Sequence, residues 1–297
     1  MSNFLFSLNV TMPIFLVMVI GWFLRQKGML DEHFVDVSNK FNFKVTLPFM
    51  VFRDLSSVDI RAEFDVRFVL FCAIATSICF WAIWGAARLF LKDKSLRGAF
   101  VQASFRSSAA VMGLAFINNI YSVLVLTFEG EQETEGKRDT TKLKAACVNI
   151  IRNPIIISIV LGVIVALIGI DFPTIVDKTV NSVAQLATPL ALIGLGAGFE
   201  GRKALAKIRP TLWACMVKLV IQPLIFLPAA VALGFRGEKI IAILIMLAAP
   251  ATPSCYIMAK NMKNDGVLTA SIIVMTTLLA AFTLTGWIFL LRSFGLI

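Results

Sequence analysis

Runs of about 20 apolar residues recur from end to end of this chain, and a helix needs roughly that length to cross the hydrocarbon core of a bilayer. They fall at 4–24, 34–54, 66–91, 99–128, 145–170, 175–199, 208–234, 238–260 and 266–292, nine apparent transmembrane helices. Backbone in hydrocarbon has to close its own hydrogen bonds, so runs of this kind fold as helices. The expected fold class is an all-α polytopic membrane protein. Of the 297 residues only 15% are charged, yet the net charge is +10. In a soluble chain that balance would suggest nucleic acid. Here Lys and Arg lie in short loops between apolar runs, which is a topological signal, and no nucleic-acid partner is expected.

The chain also repeats itself. Pro13, Gly21, Gly28 and Pro48 recur 141 positions later as Pro154, Gly162, Gly169 and Pro189. Apolar character matches between them, with Ile14 against Ile155, Leu16 against Ile157 and Val19 against Val160. A duplicated apolar chain points to the inverted-repeat fold of membrane transporters. The domain reading follows: a first repeat at 1–128 (scaffold helices 4–54, partial transport helices 66–128), a charged cytoplasmic loop at 129–144, and a second repeat at 145–297 (scaffold helices 145–199, transport helices 208–292).

Positive charge sets orientation. The loops around Arg25, Arg88–Arg97, Lys137–Arg152, Arg202–Arg209 and Lys260–Lys263 hold 17 Lys and Arg, and the alternate loops hold 7. The richer set is expected in the cytoplasm, with the N-terminus outside a cytoplasmic (inner or plasma) membrane. Met1–Asn9 has no cation ahead of the first apolar run, so that helix reads as retained and not as a signal peptide. The five cysteines are scattered, without Cys-x-x-Cys, and support neither a zinc site nor a disulfide framework.

Four cations lie inside apolar runs: Lys40, Lys44, Arg106 and Lys218. Cations there mark a pathway or a structural partner. Carboxylates are nearly absent from the same depth, a balance that favours an anionic substrate. In 34–54, Asp36, Asn39, Asn42 and Thr46 share one helix face, which suits a cavity wall or a packed helix better than lipid. Two runs carry interruptions about 140 positions apart. One holds Arg106, Ser107 and Ser108, then Gly113 and Asn118–Asn119; the other holds Pro250, Thr252, Pro253 and Ser254. Paired breaks of this kind place half-helix N-termini at a transporter's substrate site. The lone His33 is no metal site, and no phosphate loop, nucleophile motif or catalytic carboxylate pair is present. No cofactor and no enzymatic activity are expected.

In these residues the chain resembles the auxin efflux carrier family, which includes bacterial carriers of malate, malonate and similar carboxylates. The resemblance rests on Asn42 with Leu47–Pro48 and Phe52, Phe105–Arg106–Ser107 with Gly113, Arg152–Asn153–Pro154 with Gly162, and Pro189–Leu192 with Gly194 and Gly196–Ala197. It continues in Lys218–Val220 with Pro223, then Pro250 and Met258–Lys260 with Asp265. It implies ten helices in two inverted five-helix repeats, a dimeric scaffold from the first two helices of each, crossed breaks in the fourth, elevator-like motion, and a fold related to the bile acid sodium symporters. Carried over, the crossing breaks fall at Ser108–Asn119 and Ala249–Ser254. Ser108 stands where the family commonly has Asn. The first half is also short: it apparently lacks the fifth helix, and Asn119–Thr127 looks like the end of that helix joined to the fourth. The charge rule demands an even number of crossings between 88–97 and 129–144, yet the 30 residues of 99–128 are too few for two. The stretch is therefore expected as one long or bent helix of about 45 Å.

The functional expectation is a secondary active or potential-driven efflux carrier of small organic carboxylates, homodimeric through its scaffold helices. Asn42, Lys44, Arg106, Ser108, Gly113, Asn118, Asn119, Lys218, Pro250, Thr252, Pro253 and Ser254 are its candidate substrate contacts. The coupling ion, proton or sodium, is left open. The alternative is a transport-deficient relative or a membrane sensor that keeps the scaffold.

Overall fold

A computed structural model describes residues 2–57, 65–106, 112–130, 147–170 and 172–297, and among these the secondary structure is helical. Ser108, Arg61 and most of the 129–144 loop, including Lys137, Arg138, Lys142 and Lys144, lie outside the described residues. In chain order, α1 is Ser2–Gln26. α2 runs over 32–56 as Glu32–Phe41, a π turn at Asn42–Thr46, and Leu47–Ser56. α3 is Val66–Phe90, α4 Arg97–Phe105, α5 Met112–Glu129 and α6 Pro154–Ile168. α7 is Thr174–Ala197, kinked at Leu186, and α8 is the short Gly201–Ala206. α9 is Ile208–Ala232 with a π turn at Val217–Ile221; α10 is Glu238–Ala248, α11 Pro253–Asn261 and α12 Gly266–Ser293.

Among the described residues five helices are long and apolar enough to cross a membrane: Val66–Phe90, Thr174–Ala197, Ile208–Ala232, Glu238–Asn261 (α10 and α11 together) and Gly266–Ser293. Thr11–Gln26, Leu114–Glu129 and Pro154–Ile168 are shorter apolar helices. The expected helix at 145–170 restarts at Pro154, because Asn153 leaves helical geometry and caps the amide of Ile155 at 2.9 Å. Proline is at home in that first position, where its missing N–H would have had no partner.

Residues 141 positions apart make matching contacts in the packing. A Cβ on Gly21 would stand 2.3 Å from the carbonyl oxygen of Ile193, so α1 and α7 touch backbone to backbone. A Cβ on Gly162 would stand 3.1 Å from the carbonyl oxygen of Phe52, so α6 and α2 meet in the same way. Glycine and contacted carbonyl are both displaced by 141 positions between the two contacts. α1 on α7 and α2 on α6 are also among the most extensive helix pairings of the described residues. Gly28 and Gly169, again 141 apart, both take left-handed backbone, with φ of 73° and 74°, after α1 and at the end of α6.

The loops rich in Lys and Arg gather at one end of the bundle. There Lys260 pairs with Asp36, Lys207 with Asp265, and Arg88 with Glu129. At the other end Lys239 pairs with Asp65, and Arg53 donates to Asn181 at 3.0 Å.

Residues 97–130 depart from the expected single bent helix. Both of their ends lie at the same end of α3. Glu129 accepts from Trp84 Nε1 at 2.7 Å and Arg88 Nε at 2.8 Å, and a Cβ on Gly98 would lie 3.5 Å from that of Glu129. Arg106, at the far end of α4, meets Asn119 and Ser122 near the middle of α5. α4 and α5 are thus antiparallel, about 14 Å and 27 Å long at 1.5 Å per residue, and the chain leaves and returns on one side as the charge rule requires. An aromatic cluster holds the pair: Phe80 stacks on Tyr121 with ring centroids 4.3 Å apart, and Phe105 meets both edge-on.

Two expectations change accordingly. The interruption ends by Met112, so Gly113, Asn118 and Asn119 sit within continuous helix. The two asparagines tolerate it because Asn119 turns its amide back to the Ala115 carbonyl at 2.7 Å, while the Asn118 carbonyl takes the Ser122 hydroxyl at 2.7 Å. Nor is the absent piece the fifth helix as such. α5 packs on α3 and α6 just as α12 packs on α9 and α1, and among the described residues the element without a counterpart in the first half is α11. From Arg97 to Glu129 there are 33 residues, against 56 from Glu238 to Ser293. The difference is a nine-residue half-helix, a four-residue turn and part of a long helix.

Two outcomes test this architecture. In a background without native cysteines, Lys94→Cys and Gly130→Cys should react with an impermeant maleimide from one side of the membrane and Lys239→Cys from the other; opposite reactivity of the first two would break the hairpin. Gly21→Ala should cost about 1–3 kcal/mol in thermal unfolding, as overpacking does, and Gly162→Ala less. Gly85→Ala, with nothing within 4 Å, should cost nothing and gain up to about 1 kcal/mol.

Candidate functional site

α4 ends where its backbone turns extended at Arg106 (φ −74°, ψ 125°). That residue is 7% exposed. Its Nη2 donates to Asn119 Oδ1 at 3.1 Å, and its Nη1 donates to Ser122 Oγ at 3.4 Å and lies against Met258 Sδ on α11. Every one of these partners is neutral. A guanidinium has five donors and a charge that cannot be titrated away, so its positive potential persists in the protein interior. Gln102 and Ser104, on the turn before, are fully buried, and Gln102 Oε1, Ser104 Oγ and Asn118 Oδ1 have no hydrogen-bond partner.

The second cation, Lys218, is completely buried in the π turn of α9. That turn has a local cause. Pro223 lacks an N–H and its ring crowds the carbonyl four residues back, that of Leu219. The helix widens by one residue, and the freed Leu219 oxygen accepts from Trp287 Nε1 of α12 at 2.9 Å. The π turn of α2 stands in the same place relative to Pro48: each turn ends two residues before a proline. Gln222, between the α9 π turn and Pro223, sends its amide to the Ser104 carbonyl at 2.7 Å and so ties α9 to the end of α4 beside Arg106.

Between α10 and α11 the backbone is extended at Ala249 (φ −66°, ψ 152°) and Thr252 (φ −76°, ψ 145°). The Ala251 amide donates to Thr276 Oγ1 at 3.2 Å, and the Thr252 and Ser254 hydroxyls lie 2.9 Å apart. Pro250, Thr252, Pro253 and Ser254 are all half-buried here. Pro253 occupies the first turn of α11, so the break closes one residue earlier than Ser254. The Thr252 side chain does not cap that helix.

The structure therefore brings together Arg106, Asn118 and Asn119, with Gln222 of the Lys218-bearing helix beside them and α11 packed against α4. Asn42 does something else: its Nδ2 donates to the Ala187 carbonyl of α7 at 2.9 Å, and its side-chain oxygen accepts from Thr46. Lys44 is exposed on α2. Gly113 is the second residue of α5. Sequence reasoning missed Gln102, Ser104, Gln222, Met258 and Trp287. A polar residue directly before a proline in an apolar run, as Gln222 is before Pro223, was a readable signal; the Trp287 contact, 68 positions from its partner, was not.

Trp287→Phe keeps the ring but strands the Leu219 carbonyl. It should lower stability by about 1–2 kcal/mol and loosen the π turn, read as faster hydrogen exchange at Lys218–Gln222 against an unchanged α3.

The "Membrane transport protein" family model matches residues 6–136 and 125–288. Among curated proteins, "Uncharacterized transporter YfdV" of Escherichia coli (strain K12) is 21% identical over 281 residues, covering 86% of this chain and 88% of that protein. An "Uncharacterized transporter" of Methanothermobacter thermautotrophicus is 22% identical over 305 residues (96% and 98%). A "Putative malonate transporter" of Rhizobium meliloti is 22% identical over 309 residues (96% of each). The last two alignments are longer than the 297-residue chain, so those relatives carry residues that it lacks, in keeping with the shortened first half. With both halves matched, the chain belongs to the membrane transport protein family, the auxin efflux carrier family that its motifs resemble.

Proposed function

We propose that this transporter-family protein carries small organic carboxylate anions across the cytoplasmic membrane, with Arg106 as the central counter-charge. The observation behind this is a guanidinium buried among neutral partners, with a buried hydroxyl two residues before it, Ser104 Oγ, that has none. A carboxylate matches the guanidinium fork in two parallel hydrogen bonds, and in low dielectric each is worth more than in water. Lys218 adds positive potential from α9. Asn118, Asn119 and the extended backbone at Ala249–Thr252 supply uncharged contacts, and Ser108 and Gly113 flank them in sequence. The relative named for malonate supports a dicarboxylate. On this reading the reciprocal Gly21–Ile193 and Phe52–Gly162 contacts are the core of an inverted repeat. The 1–128 and 145–297 halves then share a scaffold of α1, α2, α6 and α7, Asn42 serves that scaffold, and the protein is a homodimer through it with its N-terminus outside.

A second reading has an observation of its own. With no counterpart of α11 in the first half, the break after Arg106 has only α11 to cross, and α5 lies on α3 and α6 instead. A chain that binds the anion but closes on one side alone would act as a sensor or a transport-deficient relative.

Proteoliposomes containing the purified chain separate the two. Uptake of labelled malonate that collapses at least tenfold in Arg106→Gln and persists in Lys203→Gln supports the carrier. Saturable malonate binding with the same Arg106 dependence and no flux supports the sensor. Binding and flux indifferent to Arg106→Gln, in variants that elute as folded protein, would remove this residue from the site.

A further inference from the structure

At the end of the bundle opposite the basic loops lies a cavity of about 510 Å³ that no part of the carrier reading uses. Asp65, Arg67, Phe235, Arg236, Glu238 and Lys239 line it. Its origin can be read from the second half. There the turn between α11 and α12 is pinned by Asp265 to Lys207, and Asn264 of that turn presses on Gly98 at the start of α4, where a Cβ would meet its Oδ1. Asp65 stands 142 positions before Lys207, Arg67 stands 142 before Arg209, and Lys239 stands 141 after Gly98. Among the described residues the first half has no such turn. Asp65 reaches across to Lys239 instead, the Lys239 ammonium holds the Asp65 carboxyl below its usual range, and the cavity lies beside this pair.

We propose that this cavity is a binding site for an oxyanion, a carboxylate or a phosphate group, separate from the Arg106 site. Its volume lies in the range of small-molecule pockets. Among the described residues three cations face two carboxylates, and the charges are not equally committed. Lys239 is matched by Asp65. Glu238 sits in the first turn of α10, where a negative charge complements the helix dipole and where no side chain caps the amides. Arg236 spends one terminal nitrogen, Nη1, on the carbonyls of Val231 and Phe235, at 2.8 and 2.7 Å. That grip orients the guanidinium and leaves the rest of its fork for a ligand. Arg67 is exposed, the second residue of α3. Beneath them Phe235 packs on Phe68 and Phe71, with centroids 5.9 and 5.4 Å away, an apolar floor that suits either the carbon body of a small organic anion or the glycerol region of a lipid whose phosphate the arginines hold.

The test uses the full chain purified in detergent. Inorganic phosphate and malonate are titrated by calorimetry, and phosphatidylglycerol adducts are counted by native mass spectrometry. Arg67→Gln should weaken the bound probe on the order of 10-fold or more, the scale of a charge-assisted hydrogen bond. Glu238→Gln should tighten it several-fold, a gain that no loss of folding can imitate, and Lys178→Gln, an exposed cation at the same end, should leave it unchanged. Titration of the soluble anions identifies a solute site; adducts lost in Arg67→Gln without such titration identify a lipid phosphate. If no probe binds, or if Arg67→Gln and Glu238→Gln bind like Lys178→Gln, the site does not exist. Because Arg106→Gln leaves this cavity intact, its phosphate or lipid binding should persist in that variant whatever happens to malonate flux.

Discussion

A guanidinium held at the inner end of a half-helix is the constraint around which this molecule is arranged. Arg106 cannot shed its charge, and an unsatisfied cation at that depth would cost several kcal/mol. Its donors are met from two directions, by Asn119 and Ser122 on α5 and by Met258 on α11. The first contact closes α4 and α5 into a hairpin; the second attaches that hairpin to the half-helix beyond the α10 break. The partners are neutral, so the residue is accommodated without being neutralised, which is the condition a site for an exchangeable anion has to meet.

The interior also shows how broken backbone is tolerated in a membrane-spanning bundle. Every proline in a helix interior releases a carbonyl, and hydrocarbon offers it nothing. At Pro223 the answer is a π turn and an indole N–H from α12; at the α10–α11 break a hydroxyl, Thr276 Oγ1, serves the Ala251 amide. Both partner groups, the Trp287 donor and the Thr276 acceptor, come from α12, the longest helix among the described residues, which also packs on α1. Breaks of this sort survive only beside a helix that stays whole.

The 141-residue spacing and the shorter run at 97–129 then account for much of the packing. The two glycine contacts that exchange halves, Gly21 on Ile193 and Gly162 on Phe52, require small residues at fixed places because any Cβ there would strike a backbone carbonyl or the Leu55 side chain. Outside that region the first half is 23 residues shorter by the same ruler, and its chain doubles back where the second half runs on. The doubling back conserves the side on which the Lys and Arg of the loops emerge, while it removes the half-helix that would have faced α11 across the break.

Much of this was legible in the residues themselves. Helix positions follow from where apolar runs of about 20 begin and end, since a bilayer selects for length and little else. The repeat follows from Pro and Gly, which mark backbone geometry and so keep their spacing when apolar side chains drift. The α10–α11 break was visible for the same reason; of the four cations within apolar runs Arg106 and Lys218 are buried, whereas Lys40 and Lys44 are exposed. What the sequence could not decide was direction. Whether 97–130 runs on or folds back depends on Glu129 finding Trp84 and Arg88, and on Arg106 finding Asn119 rather than a partner beyond the break, contacts between residues 13 to 45 positions apart. That Asn42 joins α2 to α7, and that Trp287 closes the gap left by Pro223, are likewise facts of which faces meet. Local chemistry set the elements and their breaks; the pairing of polar groups across helices, which exists only once they are packed, set the hairpin and the surroundings of Arg106.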